Sequence, residues 1–357
     1  MSGHPTEADP ASTPDPAPAP ERDPAPGIGP GGPGDSPAPV GFIGLGNMGA
    51  PIAKRLLAWP GGLVVCDVRP ETTEPFVAEG ATAAATGAEV ARTARLVSVT
   101  VLDDAQVRDV VDGPEGILRT AAPGTVIVVH STIADSTAVE LAEVCAAAGV
   151  HLVDAPVSGG AQGAESGLLA VMVGAPREVY EACKPVFALW AGMPVHAGEV
   201  GAGTRMKLAR NLLHFISFTA TAEASRLAEA AGIDITKLGR VVRHTDAITG
   251  GAGAVMLRDT TAPIATDDFW HGVFTHVRGL GEKDLSLALG LADRLGVDLP
   301  LGTIALRDLG TGFGVGPGEL ARRADVRASD GVSGDAGGTG RDHDDDDHDH
   351  DHDEENR

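Results

Sequence analysis

The chain has 357 residues, which is enough for two average domains with flanking segments. Its formal net charge at pH 7 is −23. Because binding to phosphates requires clustered Lys and Arg, this charge argues against nucleic acid as a partner, and equally against an anionic membrane surface. The sequence contains no run of about 18 apolar residues, so no membrane span is expected.

The cysteines number three and lie far apart in the chain. Because they form no CxxC pair, the sequence predicts neither a zinc site nor a disulfide framework, and it favours a reduced, cytoplasmic setting. The N-terminus lacks a basic stretch followed by an apolar run, which is the pattern of a secretory signal.

Both ends of the chain differ in composition from its middle. Residues 1–39 are rich in Pro, Ala, Gly and Asp, and residues 326–357 lose apolar content and end almost purely in Asp and His. Such segments bury too little apolar surface to offset the entropy cost of ordering, so both are predicted to be disordered. The terminal histidines allow loose metal binding, but a solvated, self-repelling tail is the favoured interpretation and no metal site is predicted. These histidines are His343, His348, His350 and His352.

The part between these ends begins with alternating predicted strands and helices. The strands are apolar runs rich in β-branched residues, as expected for buried parallel strands. Their alternation with helices predicts an α/β fold with a doubly wound parallel sheet. The predicted strands cover residues 40–44, 63–67, 96–102, 125–129 and 151–154, and the helices cover residues 50–57 and 136–148.

The strand pattern stops at about residue 200, and the rest of the folded part is predicted to be all-α. Helices are expected over residues 204–231, 282–295 and 303–309, and a glycine, which readily ends a helix, follows each of the first two. We expect the first of them to join two domains, with the active site in the cleft between them. The predicted segments are a leader over 1–39, an α/β domain over 40–197, an all-α domain over 198–325 and a tail over 326–357.

A glycine-rich turn follows the first predicted strand and opens the first predicted helix. Its pattern, G-x-G-x-x-G, is typical of a dinucleotide-binding Rossmann domain in this context. The first glycine permits a tight turn, the second lets the backbone approach a pyrophosphate, and the third allows close packing of helix on strand. The N-terminus of the helix offers N–H groups to the phosphates. The turn consists of Gly44, Leu45, Gly46, Asn47, Met48 and Gly49.

Asp67 ends the second predicted strand, where such domains place a carboxylate that accepts hydrogen bonds from the adenine ribose. A carboxylate at this position repels a 2′-phosphate, so the sequence favours NAD over NADP. Arg69, two residues further on, softens this preference and keeps NADP as an alternative.

Further motifs follow in a defined order. They are Ser131-Thr132-Ile133, the heptapeptide DAPVSGG from Asp154 to Gly160, Gly201-Ala202-Gly203 leading to Lys207 and Asn211, and Lys283-Asp284. With the glycine-rich turn, they resemble the β-hydroxyacid dehydrogenase family, which includes 3-hydroxyisobutyrate dehydrogenase and tartronate semialdehyde reductase. The resemblance covers roughly residues 40–315. It implies an NAD(P)-dependent dehydrogenase of a small 3-hydroxy acid, forming a homodimer or homotetramer through its helical domain.

The resemblance implies roles for individual residues. Lys207 is similar to the family's general acid/base, and Asn211, four residues on and on the same helix face, orients the substrate hydroxyl or the lysine. A lysine on this largely apolar helix is expected to be partly desolvated, which lowers its pKa toward neutrality. The implied carboxylate-binding residues are Ser131, Ser158, Gly159 and Gly160, and Lys283 is implied to lie near cofactor and substrate.

Other residues are expected to contact the cofactor. Leu102, Asp103 and Gln106 follow a predicted strand, which is where loops meet the cofactor in such folds. Thr132 ends the next strand and is similar to a contact on the nicotinamide side in the family.

The sequence also departs from the family pattern. Val129 stands where the family often has Asp, Asp103 where it has Pro, and Arg210 where it has Asn. The added cation Arg210, together with His130 beside Ser131, leads to the hypothesis that the substrate is a dicarboxylate or a more polar acid.

Two other functions are compatible with the same scaffold or the same cofactor site. An imine reductase or other carbonyl reductase would use the same scaffold, but such relatives generally lack a lysine at the Lys207 position. A non-catalytic dinucleotide-sensing protein would need no proton donor. The presence of Lys207, Asn211 and Ser158 together therefore favours an alcohol–carbonyl substrate.

Overall fold

A computed structural model of the chain describes residues 37–322. Most of the predicted leader and tail lies outside the described residues, as do the four terminal histidines. The fold divides into two compact units, of which the first ends at Asn211 and the second begins at Leu212. Within the described residues, no helix is long and apolar enough to cross a lipid bilayer.

The first unit contains one sheet whose central strands are short and fully buried. Val and Ile dominate these strands because both faces of a doubly wound sheet are covered by other elements. The strands are β1 (Val40–Ile43), β2 (Leu63–Cys66), β3 (Thr82–Ala83), β4 (Leu96–Val99), β5 (Val126–Val129), β6 (His151–Asp154), β7 (Val157–Ser158), β8 (Leu169–Gly174) and β9 (Ala191–Gly198).

The strand order confirms the predicted doubly wound parallel sheet. Strands pair in the order β3-β2-β1-β4-β5-β6, all parallel, and the chain reverses its direction of travel across the sheet at β1. Two parts of the sheet were not expected from the sequence: the two-residue strand β3, and the extension beyond β6, where β8 runs antiparallel to β6 and β7 and parallel to β9. The loops after β1 and β4 flank the reversal point, which is where open α/β sheets bind ligands.

The helices on the two faces of the sheet bury separate apolar clusters. One contains Phe42, Phe187 and Trp190, and the other contains Val97 and Ile127. The helices of the first unit are α1 (Gly49–Leu56), α2 (Glu74–Ala78), α3 (Gly87–Ala91), α4 (Asp104–Asp112), α5 (Asp135–Ala147), α6 (Gly160–Ser166) and α7 (Arg177–Phe187). The long helix α8 (Ala202–Ala230) begins in the first unit and ends in the second.

The described part of the second unit is helical and has no strand, as predicted. It continues with α9 (Ile235–Thr249), α10 (Phe269–Leu295) and α11 (Pro300–Gly312). The predicted helix over 282–295 is only the second half of α10, which starts thirteen residues earlier, where the side chain of Asp268 accepts a hydrogen bond from the Trp270 N–H. The start was not predicted because glycines within α10 disfavour a helix in the sequence pattern. One of these glycines, Gly281, lies close to the Leu309 side chain of α11.

Candidate active site

The glycine-rich turn between β1 and α1 has the geometry that its three glycines were predicted to provide. Gly44 has φ +93°, and a Cβ there would lie 2.1 Å from the Thr100 carbonyl oxygen. A Cβ on Gly49 would lie 1.9 Å from the Gly44 carbonyl oxygen, so helix and turn pack too closely for any side chain. A Cβ on Gly46 would meet no atom of the described chain within 4 Å. The turn is therefore open to a ligand at its second glycine, which suits a pyrophosphate.

The start of α1 is also suited to a phosphate. Met48, its N-cap residue, makes no side-chain capping hydrogen bond. In the first turn Pro51 has no N–H and the Ala50 N–H donates to the Gly46 carbonyl oxygen, so an anion is left with the N–H groups that precede Ala50. Asp67 follows β2 and reaches the same turn, because its Oδ2 accepts a hydrogen bond from the Leu45 N–H at 2.6 Å. Its Oδ1 accepts the Arg69 N–H at 2.9 Å, with the Arg69 guanidinium 3.5 Å away. The structure thus brings Asp67 and the glycine-rich turn together.

The loop after β4 uses its polar side chains locally. Asp103 accepts a hydrogen bond from the Gln106 N–H at 2.9 Å, and Gln106 Oε1 accepts one from the Leu102 N–H at 3.0 Å. The Asp103 hydrogen bond caps α4, and the Gln106 hydrogen bond holds the residue before that cap. The side chain of Leu102 is exposed, as is that of Thr132 after β5. The side chains of Asp103 and Gln106 therefore position the loop. The exposed side chains of Leu102 and Thr132 remain accessible to a cofactor.

Ser131 joins the ends of β4 and β5. Its hydroxyl donates to the Val101 carbonyl oxygen, and its Oγ accepts the Val101 N–H, both at 2.8 Å. The residue is buried. Because the hydroxyl hydrogen is already donated to the backbone, this side chain would have to rearrange before it could donate to a substrate carboxylate.

Lys207 is held at the end of β7 by two contacts. Its Nζ donates hydrogen bonds to the Val157 carbonyl oxygen at 2.6 Å and to Ser158 Oγ at 2.9 Å, and the residue is only 8% exposed. An ammonium group has three N–H donors, so one direction remains for a substrate beyond these two contacts. The structure thus brings together two predicted site residues that are 49 positions apart in the chain.

The environment of Lys207 lowers the pKa of its ammonium group, first through burial and second through the positive charge of Arg210. This direction agrees with the sequence-based expectation. Arg210 is exposed and donates a hydrogen bond from Nη1 to Asn211 Oδ1 at 3.3 Å. Asn211 is half-buried. Its amide oxygen is therefore turned to Arg210 in this structure.

The turn after Ser158 is accessible. Gly159 and Gly160 have φ values of +134° and +65°, and both residues are exposed. A Cβ on Gly160 would meet nothing within 4 Å. This leaves backbone groups beside Ser158 open to a small ligand.

Lys283 and His130 are two further residues that the sequence analysis considered for the site. Lys283 belongs to the second unit, where its exposed ammonium group forms an ion pair with Asp284 at 2.9 Å. His130 was expected to influence substrate choice, but its ring is 3% exposed, with Nδ1 2.9 Å from the Ala155 carbonyl oxygen and Nε2 3.1 Å from Ser98 Oγ. His130 is therefore a core residue that cannot contact a substrate.

Asp154 begins the DAPVSGG motif, but the sequence assigned no role to its side chain. It ends β6 and is fully buried, and its carboxylate accepts two backbone N–H groups at the start of α8. The sequence offered one indication of this role. Asp154 ends an apolar strand, and a helix that starts between two glycines follows later in the chain.

Comparisons with known proteins match two family models in succession. Residues 39–201 match the NAD binding domain of 6-phosphogluconate dehydrogenase. Residues 201–311 match the model described as NAD-binding of NADP-dependent 3-hydroxyisobutyrate dehydrogenase.

Individual relatives cover most of the described chain. An uncharacterised oxidoreductase of Mycobacterium tuberculosis is 58% identical over 276 residues, which are 77% of this chain and 93% of that protein. A 3-hydroxyisobutyrate dehydrogenase of Pseudomonas aeruginosa is 35% identical over 269 residues, covering 74% of this chain and 89% of that protein. Among solved structures, an oxidoreductase from Mycobacterium avium is 57% identical with a TM-score of 0.74, covering 78% of this chain and 99% of that one.

Proposed function

This chain belongs to the β-hydroxyacid dehydrogenase family, an NAD(P)-dependent family of oxidoreductases, and from that premise we propose that it oxidises a small, 3-hydroxyisobutyrate-like 3-hydroxy acid. The observation that carries the proposal is the Lys207 ammonium group, buried and held against Val157 and Ser158 with a lowered pKa. Such a group is suited to exchange a proton with a hydroxyl near neutral pH.

Lys207 acts as the general acid/base in the proposed reaction. The nicotinamide, when bound, supplies the hydride acceptor. In the neutral form, Lys207 Nζ accepts the proton of the substrate hydroxyl, and in the reverse direction its ammonium group returns that proton to the carbonyl oxygen. The Val157 carbonyl and Ser158 Oγ orient Nζ, because each fixes one of its N–H bonds. Asn211 orients the substrate hydroxyl once its amide is released from Arg210.

The substrate carboxylate would bind next to Lys207. Ser158 and the exposed backbone of Gly159 and Gly160 offer hydrogen-bond donors there, and we assign Ser131 to the same task by family resemblance. By the same resemblance we assign Lys283 a place near cofactor and substrate. The positive charge of Arg210 suits a second carboxylate, so we extend the proposal to dicarboxylates or more polar acids. An Arg210→Asn variant tests this extension, since an unchanged ranking of substrates would rule it out.

The preferred cofactor in this proposal is NAD. Asp67 lies against the glycine-rich turn, where a carboxylate accepts hydrogen bonds from ribose hydroxyls and repels a 2′-phosphate. Gly44 through Gly49 would hold the pyrophosphate, and Leu102, Asp103, Gln106 and Thr132 would line the remainder of the cofactor site. The partial neutralisation of Asp67 by Arg69 leaves NADP as a weaker substitute.

We also propose that the chain forms a homodimer or homotetramer in the cytoplasm. Large apolar side chains of α8 are exposed in the single chain, and exposed apolar patches of this kind commonly mark protein interfaces. They include Leu212, Phe215, Ile216 and Phe218. Light scattering of the purified protein at several concentrations measures the assembly directly, and a stable monomer would contradict it.

The decisive experiment is a 340 nm cofactor assay with purified protein. The substrates to screen are 3-hydroxyisobutyrate, D-glycerate, 3-hydroxypropionate, L-serine and 4-hydroxybutyrate, each with NAD and with NADP. Lys207→Ala is expected to lower kcat by a factor on the order of 10² to 10⁴, which is the usual contribution of a general acid/base. Lys184→Ala, which removes an exposed lysine paired with Glu181, is the matched control and is expected to keep full activity.

The outcomes separate the candidate functions. Unchanged activity in a folded Lys207→Ala variant would remove Lys207 from the mechanism. If the protein binds cofactor but oxidises none of the hydroxy acids, an imine or other carbonyl reductase becomes the better proposal when such substrates are turned over. Cofactor binding without turnover of either class would favour the dinucleotide-sensing function.

A further inference from the structure

Asp154 joins the start of α8 to the end of β6. Its Oδ1 accepts the Gly201 N–H at 2.7 Å, and its Oδ2 accepts the Thr204 N–H at 2.6 Å. Because α8 begins at Ala202, the carboxylate binds N–H groups that no carbonyl of the helix can reach. Burial raises the pKa of this carboxyl group, and the two N–H hydrogen bonds and the positive end of the helix dipole act in the opposite direction by favouring its charged form. Both oxygens of this buried group are therefore committed to positioning α8.

The backbone packing at this point leaves no space for adjustment. A Cβ on Gly203 would lie 2.3 Å from the Met172 carbonyl oxygen and 2.6 Å from that of Asp154. A Cβ on Gly174 would lie 2.1 Å from Asp154 Oδ1. The first turn of α8 is thus in direct contact with β6 and β8, and the distance between helix and sheet is fixed by backbone atoms and by the Asp154 carboxylate.

The Lys207 contact connects the same two parts of the fold that Asp154 connects. Helix α8 carries Lys207, and the chain just after β6 carries its hydrogen-bond acceptors. Lys207 lies three residues after Thr204 on α8, and its acceptors, Val157 and Ser158, lie three and four residues after Asp154. A shift of α8 relative to β6 would therefore move Nζ away from both acceptors.

We propose that Asp154 is the positioning residue of Lys207, which sets the place and burial of Nζ by holding the first turn of α8 against β6. This inference rests on the proposed role of Lys207 in proton transfer. Asp154 itself touches neither substrate nor cofactor in this proposal.

The test is an Asp154→Asn variant of the full chain. The amide keeps the shape of the side chain, but its NH₂ group opposes a backbone N–H where an oxygen accepted one. We expect kcat to fall on the order of 10²-fold, as for a misplacement of about 1 Å, while KM for the hydroxy acid changes much less. The pKa of the base in the kcat/KM profile should rise toward that of an ordinary lysine, because Nζ becomes less buried.

A Thr204→Pro variant tests whether the position of α8, and not the charge of Asp154, determines the behaviour of Lys207. It deletes the Thr204 N–H and the Thr204 hydroxyl, which both interact with Asp154, and keeps the carboxylate, and proline is accepted in the first turn of a helix. We expect the same pattern in kcat and in the pH profile.

Glu223→Gln is the matched control, because Glu223 is a buried carboxylate with the same task at another helix. Its two oxygens accept the Leu301 and Gly302 N–H groups, at 2.8 and 3.0 Å, at the start of α11. This variant should lose a comparable amount of thermal stability but keep kcat and the pH profile.

The result that overturns the proposal is a folded Asp154→Asn variant with unchanged kcat and pH profile while Lys207→Ala is inactive; the proposed function would then stand. If Lys207→Ala keeps its activity, the proposed function fails and this inference with it. If Asp154→Asn and Glu223→Gln lose kcat equally, Asp154 only stabilises the fold and the proposal is rejected. If neither Asp154→Asn nor Thr204→Pro folds, Asp154 serves folding as a whole and the proposal is rejected.

Discussion

The stability of the first unit should fall in mild acid because of His130. Burial lowers the pKa of this imidazole from 6.5 to about 4. The rings of His130 and Trp190 pack in a T-shaped arrangement. The imidazole is neutral in the folded state, with one nitrogen facing the Ala155 carbonyl oxygen and the other facing Ser98 Oγ. The unfolded chain accepts the proton more readily, so stability is fully present above about pH 6.5 and is lost as the pH falls toward 4.

The expected magnitude follows from the pKa difference. A gap of roughly 2.5 pKa units corresponds to a total loss of about 3 kcal/mol, of which about 2 kcal/mol falls between pH 7 and pH 5. Urea unfolding, followed by tryptophan fluorescence at pH 7, 6 and 5, measures this loss as a change in the free energy of unfolding.

A His130→Asn variant assigns the pH dependence to this residue. The asparagine amide can still donate to the Ala155 carbonyl oxygen, but it does not titrate in this range. The variant should be less stable at pH 7, since it loses ring packing, and its loss between pH 7 and pH 5 should be about 2 kcal/mol smaller than that of the wild type. Equal losses in both proteins would refute the reasoning.

Other predictions test the cofactor turn and the thiols. Gly46→Val should raise KM for NAD at least tenfold, because its side chain occupies the space open to a pyrophosphate; Gly272→Val, which also meets no atom within 4 Å, should not. Gly49→Ala should destabilise the fold by about 1–3 kcal/mol in urea unfolding, because its Cβ meets the Gly44 carbonyl oxygen. Burial raises the pKa of the three thiols to about 11 or 12, so the native protein should not react with Ellman's reagent at pH 8 and the unfolded one should. These thiols belong to Cys66, Cys145 and Cys183.

The parts of the fold that depend on local pattern could be predicted from the sequence. The buried parallel strands are continuous apolar runs, and the glycine-rich turn has a pattern dictated by its backbone conformation, so both were identified. Strand β3 was missed because its two residues are exposed and form no apolar run. The additional strands β7–β9 were missed because the pairing of β8 with β6 and β7 depends on long-range register. The first half of α10 was missed because its glycines suggest breaks that the Asp268 cap and tertiary packing override.

The site was predicted less evenly, since residue type does not determine which partner a polar group finds. Lys207 and Ser158 were predicted to belong to the same site, but no direct contact between them was predicted. The structure adds the hydrogen bond between their side chains. Asp103 and Gln106 were predicted to contact the cofactor, which stays a prediction, and the structure adds local hydrogen bonds by which they position the loop before α4. His130 was expected to affect substrate choice, but the aromatic core encloses its ring. In each case the sequence gives the chemistry of the side chain, and only the fold decides its partner.

Arg210 links substrate choice to the proton-transfer group. Its positive charge contributes to the lowered pKa of Lys207, after burial. A second substrate carboxylate bound at Arg210 would neutralise that charge, so the pKa of Lys207 should be higher in a complex with a dicarboxylate than with a monocarboxylate. The acidic limb of the kcat profile, which reports the enzyme–substrate complex, should therefore lie at higher pH for the dicarboxylate. Arg210→Asn should abolish this difference between the two substrate classes, whereas a difference that persists in the variant would show that the second carboxylate binds elsewhere.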